Sequence, residues 1–141
     1  MEGTNRRGAE SAERRELGEG MSQLTGAVIG AAIEVHRVLG PGFLESVYEE
    51  ALCVELQMRK VSFKRQPVVT MNYKGHLIGE GRLDLLVDNT LIVELKAVEK
   101  LAPIHEAQVL SYLKMTGHPL ALLINFNVRV LKDGIRRIIF S

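Results

Sequence analysis

Leu83-Asp84-Leu85-Leu86-Val87, then Asp88-Asn89-Thr90, then Leu91-Ile92-Val93-Glu94-Leu95-Lys96 reads as two apolar strands joined by a short polar loop. An aspartate, a glutamate and a lysine stand among the leucines, and apolar strands have little reason to carry such charges unless the charges meet. If Asp88-Asn89-Thr90 is a three-residue hairpin loop with a residue near the left-handed region, Val87 pairs with Leu91. The ladder then continues Leu86 with Ile92, Leu85 with Val93, Asp84 with Glu94 and Leu83 with Leu95. Side chains alternate faces along a strand. One face therefore reads Leu83, Leu85, Val87, Leu91, Val93, Leu95; the other sets Asp84 opposite Glu94, with Lys96 one step along. A two-residue Asp88-Asn89 turn would place Asp84 against Val93 and separate the carboxylates, because a one-residue slip exchanges the faces. Only the odd loop sorts the residue types cleanly, and it is the expected register.

Two carboxylates opposed across a strand pair repel each other. A bound Mg²⁺ or Mn²⁺ relieves that repulsion, since hard cations take carboxylate, carbonyl and water oxygens. Such a cation acidifies a bound water, and Lys96 is placed to orient or help deprotonate that water beside a phosphate. The triplet alone is equally compatible with a cross-strand ion pair, Asp84–Lys96 or Glu94–Lys96, at a solvated sheet edge.

The chain has 141 residues, enough for one domain with a real core. Its 46% hydrophobic and 25% charged residues are those of an ordinary globular protein. Cys53 is the only cysteine, so no intrachain disulfide forms and a cytoplasmic setting is expected. The longest apolar stretch, Ala27 to Ile33, is far too short for a membrane span. Met1 to Gly20, rich in Gly, Glu and Arg, lacks the apolar core of a secretory signal and reads as a disordered leader before a single domain over 21–141. A net charge of +1 excludes a global basic field for nucleic acid. Local clusters (Arg59-Lys60, Lys64-Arg65, Arg129 with Lys132, Arg136-Arg137) are more simply solvated surface.

The remaining chain supplies the elements. Ser22 is a candidate N-cap for a helix to Val38 that Gly40-Pro41-Gly42 ends. Its small residues Gly26, Gly30 and Ala31 imply close packing. A second helix runs from near Phe43 to about Arg59. Strands follow at Val68–Tyr73, His76–Val87 and Leu91–Val98. Pro103 opens a third helix to Thr116. Leu120–Phe126 and Ile135–Phe140 are the last strands, separated by the turn Lys132-Asp133-Gly134. The order α-α-β-β-β-α-β-β predicts a mixed α/β sandwich. No repeat, paired CxxC, Walker or dinucleotide glycine pattern is present.

Two further polar groups fall on helices. Glu45 shares an arc with Tyr48, Leu52 and Leu56, opposite Ser46, Glu50 and Gln57. A carboxylate facing protein needs a partner or a metal, although an acid in a first helical turn is also favoured by the dipole. Glu49 lies at the edge of that arc as a substitute; Glu55 has no assigned role. On the third helix Gln108 and Tyr112 are i,i+4 neighbours on an arc with Ile104 and Met115, expected to point inward. An amide and a phenol there hold either a phosphate or a base beside the metal, or each other. The histidines 36, 76, 105 and 118 show no metal-ligand spacing.

These residues together resemble the GxxExxY family of the PD-(D/E)XK nuclease superfamily. The signature stands as Gly42-Phe43-Leu44-Glu45-Ser46-Val47-Tyr48. The match continues through Gly79-Glu80-Gly81-Arg82-Leu83-Asp84, Val93-Glu94-Leu95-Lys96-Ala97, His105-Glu106-Ala107-Gln108 with Tyr112, Leu123-Ile124-Asn125-Phe126 and Leu131-Lys132-Asp133-Gly134, from about Ser22 to the end. The motifs are short singly and specific in this order. The resemblance implies a restriction-endonuclease-like core, a mixed β-sheet flanked by helices. It implies that Asp84, Glu94 and the Leu95 carbonyl bind Mg²⁺ or Mn²⁺, that Lys96 assists the attacking water, and that Glu45 is the acid from the opening helices. Gln108 with Tyr112 resembles the QxxxY element of RecB-like exonucleases and implies contacts to site and phosphate. Leu83 replaces the proline that often precedes the aspartate. The expected function is metal-dependent phosphodiester hydrolysis in DNA; the alternative is a non-catalytic or partner-dependent nucleic-acid-binding module of the same fold. A homodimer through the Tyr73–Val87 sheet edge is a further expectation.

Overall fold

The computed structural model describes residues 2–140, with side chains from residue 18 onward. Two helices open the chain, α1 (Glu2–Leu39) and α2 (Glu45–Met58). There follow β1 (Phe63–Arg65), β2 (Val68–Tyr73), β3 (His76–Arg82), β4 (Leu85–Val87), β5 (Leu91–Lys96), α3 (Pro103–Thr116), β6 (Leu120–Asn125), a 3-10 turn Leu131–Gly134 and β7 (Ile135–Ile139). Five strands form one sheet in the order β1-β4-β5-β6-β7, with β5 and β6 parallel and the other neighbours antiparallel. β2 and β3 form a separate two-stranded ribbon. The mixed sheet flanked by helices is the architecture expected from the element order.

β5 and β6 occupy the middle of the sheet, which is why their sequences are nearly unbroken runs of Leu, Ile, Val and Ala. Leu91, Val93 and Leu95 face α1 and α2 in a cluster with Val28, Ala31, Tyr48, Leu52 and Phe126. Ile92 faces the other way, with Leu86, Leu123 and the α3 residues Val109, Tyr112 and Leu113. The ribbon packs on this second face through Val69 and Met71. Ala31 and Ala32 are fully buried, so their small size lets α1 approach the sheet.

The hairpin register is the expected one: Val87 pairs with Leu91, Leu86 with Ile92 and Leu85 with Val93. Asp88 and Asn89 both adopt positive φ, 52° and 55°, and Thr90 N–H donates to the Val87 carbonyl at 3.1 Å. Both central residues are thus left-handed, as in a type I′ turn, and Asp and Asn tolerate this best after glycine.

Three expectations need correction. α1 extends back through Glu2, so Ser22 lies inside the helix, and the expected leader is helical from Glu2 on; Met1 lies outside the described residues. Ala, Glu and Arg in that segment are good helix formers, and its low apolar content masked this. Next, the single strand His76–Val87 is two strands in different sheets. The chain crosses between them at Leu83-Asp84, where Leu83 N–H donates to the Pro67 carbonyl at 3.1 Å and Gln66 N–H to the Asp84 carbonyl at 2.9 Å. Leu83 therefore joins the α3 cluster instead of the Leu85 face. Because β4 lies between β1 and β5, Tyr73–Val87 is not one continuous sheet edge, and the feature behind the expected homodimer is absent. β1 was not expected at all: three residues, Phe63-Lys64-Arg65, are too few to show a period.

The GxxExxY residues mostly build the corner between α1 and α2. Gly42 has φ +106°, a conformation closed to most side chains. The Tyr48 hydroxyl donates to the Gly40 carbonyl at 2.6 Å and accepts the Phe43 N–H at 3.2 Å. Its ring stacks on Phe126 with centroids 4.6 Å apart.

Candidate active site

The site forms where β4 begins and its ladder to β5 runs out. One step before Leu85, side chains replace the ladder. Asp84 N–H donates to Glu94 Oε1 at 2.8 Å, and Leu95 N–H donates to Asp84 Oδ2 at 2.7 Å. Each carboxyl thus accepts a backbone amide from the other's strand, which ties Asp84 and Glu94 together as the register requires. Glu94 is only 4% exposed. Burial, then the neighbouring Asp84 charge, pushes its carboxyl up to about 9. Burial also raises the Asp84 carboxyl, while the Leu95 N–H pulls it back down. Burial thus biases both carboxyls toward their neutral forms, which lessens the repulsion that opposed carboxylates suffer.

Lys96 closes β5, half-buried, on the same strand face as Glu94. Its carbonyl accepts Phe126 N–H at 2.9 Å, and its charge favours the ionised forms of Asp84, Glu94 and Glu45. Glu45 starts α2. It is solvent-exposed rather than facing the core with Tyr48, Leu52 and Leu56. Surrounding protein and then the Asp84 charge still raise its carboxyl, so it shares the acids' electrostatic neighbourhood. Glu49 cannot stand in for it: Glu49 Oε2 accepts from Arg65 Nε and Gln66 Nε2, both at 3.0 Å. Glu55 pairs with Arg59 at 2.7 Å.

On α3 the inward residues are Val109, Tyr112 and Leu113, while Ile104 is 71% and Met115 40% exposed. The expected arc was centred too far round the helix, sharing only Tyr112 with the true one. Burial, then the Glu94 and Asp84 charges, raises the Tyr112 phenol, which places it on the acids' side of the sheet. Gln108 is exposed and donates to the Tyr112 hydroxyl at 3.4 Å, a long bond. His105 Nδ1 accepts Ala102 N–H at 2.9 Å, and His36 bonds the Val128 carbonyl at 2.7 Å. Both rings make structural bonds to backbone groups.

One positioned residue had no expected role. Asn125, paired with Lys96 across β5 and β6, is 1% exposed. Its amide accepts Val98 N–H at 3.0 Å and donates to the Val98 carbonyl at 2.8 Å, prolonging the ladder past Lys96. A lone amide ending the run Leu120-Ala121-Leu122-Leu123-Ile124 was the available signal.

The donors suit a hard cation: carboxylate oxygens, with the Leu95 carbonyl leaving β5 on the same side as its N–H, which donates to Asp84 just ahead of β4. Among the described residues no three His, Cys, Asp or Glu side chains converge as a metal site, so a cation there completes its shell with carbonyl, water or phosphate oxygens.

The sequence model of the PD-(D/E)XK nuclease superfamily matches residues 22–138. The chain belongs to the PD-(D/E)XK nuclease superfamily. PD-(D/E)XK nucleases generally depend on divalent metals, in keeping with the oxygen donors at Asp84 and Glu94. No curated protein matches the chain. Among solved structures it is similar to one described as "Crystal structure of SSO0001", at 18% identity and a TM-score of 0.47. That match covers 94% of this chain and 59% of the other, so this PD-(D/E)XK chain spans less than two thirds of that structure's length. Among the described residues no helix is long and apolar enough to cross a membrane.

Proposed function

We propose that the protein is a Mg²⁺- or Mn²⁺-dependent nuclease that hydrolyses phosphodiester bonds in DNA, within the cytoplasm. The observation that carries this reading is the Asp84–Glu94 pair, locked together by reciprocal backbone bonds where the β4–β5 ladder stops. Asp84, Glu94 and the Leu95 carbonyl would hold the metal, which supplies positive charge for the phosphate and an acidified water. Lys96 orients the attacking water and stabilises the charge that develops on the phosphate. Glu45, its carboxyl raised by the surrounding protein and then by the Asp84 charge, accepts a proton at the site's edge. Gln108 and Tyr112 offer donors to the backbone of the bound strand. The expected result is cleavage of DNA by wild type in Mn²⁺, none in chelator, and a rate at least about 100-fold lower in Lys96→Ala, the scale of one proton-transfer group. Equal rates in wild type and Lys96→Ala contradict the proposal.

A second reading, a nucleic-acid-binding module that is inactive alone or completed by a partner, is favoured by the lack of a third converging acid among the described residues. It predicts strongly salt-dependent DNA binding without metal-dependent cleavage.

A further inference from the structure

Asp84 lies between β3 and β4 rather than inside either, so neighbouring segments must place its backbone. The turn Arg65-Gln66-Pro67 does so: Gln66 N–H donates to the Asp84 carbonyl at 2.9 Å, and the Pro67 carbonyl accepts Leu83 N–H at 3.1 Å. Gln66 is held at φ +54°, where a non-glycine residue is strained and stays only if its surroundings enforce it. Besides these backbone bonds, one side-chain atom tethers the turn. Glu49 Oε2, on α2, accepts both Arg65 Nε and Gln66 Nε2 at 3.0 Å. Glu49 is 7% exposed, and a carboxylate so buried needs such donors.

We infer that Glu49 is a positioning residue for Asp84: through Gln66 it couples α2 to the turn that sets where the Asp84 carboxylate stands. This rests on the proposed function only in that Asp84 is taken as a metal ligand. Both donors converge on one acceptor oxygen, so an oxygen at that point is what the positioning role requires. Glu49→Gln keeps an oxygen there; Glu49→Ala keeps none, and Arg65 retains Glu50 as its partner. Gln66→Gly permits the positive φ and keeps the backbone N–H while removing the side-chain tether.

The test uses two readouts on the full chain. In metal-free protein, exchange of the Leu95 amide, which donates to Asp84 Oδ2, is compared with β6 amides of the same sample to cancel global stability. Calorimetry then gives the Mn²⁺ affinity. Glu49→Ala and Gln66→Gly are expected to speed relative Leu95 exchange and weaken Mn²⁺ binding about tenfold each, with Glu49→Gln within about threefold of wild type, the scale of groups that orient metal ligands. Wild-type relative exchange in Gln66→Gly overturns the inference, whether or not Glu49→Ala folds. So does Glu49→Gln as impaired as Glu49→Ala, which would make Glu49 a direct charge in the site. If wild type binds no Mn²⁺ and cleaves nothing, the proposed function fails, while Leu95 exchange still decides the coupling.

Discussion

Glu94 contributes to the pH behaviour of the metal-free protein. Its folded-state value of about 9 lies above the ordinary 4.5, so the folded chain keeps a proton that the unfolded chain releases. Stability from this group is full below about 4.5, declines as pH rises and is lost by about 9. Glu94→Gln removes the burden, since an amide still accepts Asp84 N–H without becoming charged. In chelator at pH 8, thermal melts should show Glu94→Gln more stable than wild type, on the order of 1–3 kcal/mol, with the gap closing by pH 5. A constant gap across that range would mean that Glu94 does not carry the proton. The aspartate, glutamate and lysine were legible in the sequence because charges stood in apolar strands at a register only one loop length allows. Glu49 and Asn125 were less so: a buried polar residue is recognised by its partners, and Gln66 and Val98 are distant in sequence.

At the scale of elements, the α1–α2 corner is pinned by Tyr48. Tyr48→Phe keeps the stack on Phe126 but removes both hydroxyl bonds, leaving the Gly40 carbonyl short of a donor. Urea unfolding should show a loss of about 1–3 kcal/mol. The other close contact is at the end of β6: a Cβ on Gly134 would overlap the Asn125 carbonyl. Gly134→Ala should destabilise by at least about 1–3 kcal/mol, as overpacking does, and should disturb Asn125 beside Lys96. Wild-type stability in Gly134→Ala would show that the turn can shift freely. Elements bounded by clear turn signals, such as α3 between Pro103 and Gly117 and β6 after Pro119, were legible within a residue or so. The division of His76–Val87 was not, because an apolar run looks alike whether it stays in one sheet or crosses to another, and only the Leu83–Pro67 and Gln66–Asp84 bonds reveal the crossing.

Across the whole molecule, the sheet carries α1 and α2 on one face and α3 with the β2–β3 ribbon on the other. Element order alone predicted that layering, since apolar β5 and β6 must be covered on both sides. The face of α3 and the exposure of Glu45 depend on how helices seat on the sheet, which periodicity within one helix does not specify. The most direct test of the account is Mn²⁺ titration by calorimetry at pH 7.5, in two buffers of different ionisation enthalpy, on wild type and on the Asp84→Asn/Glu94→Gln double variant. The account predicts that wild type binds Mn²⁺ with release of about one proton, as expected for a carboxyl that titrates well above that pH and must ionise to ligate. The double variant should give no binding. Equal Mn²⁺ binding by both proteins, or no binding by either, would contradict a metal centre at Asp84 and Glu94.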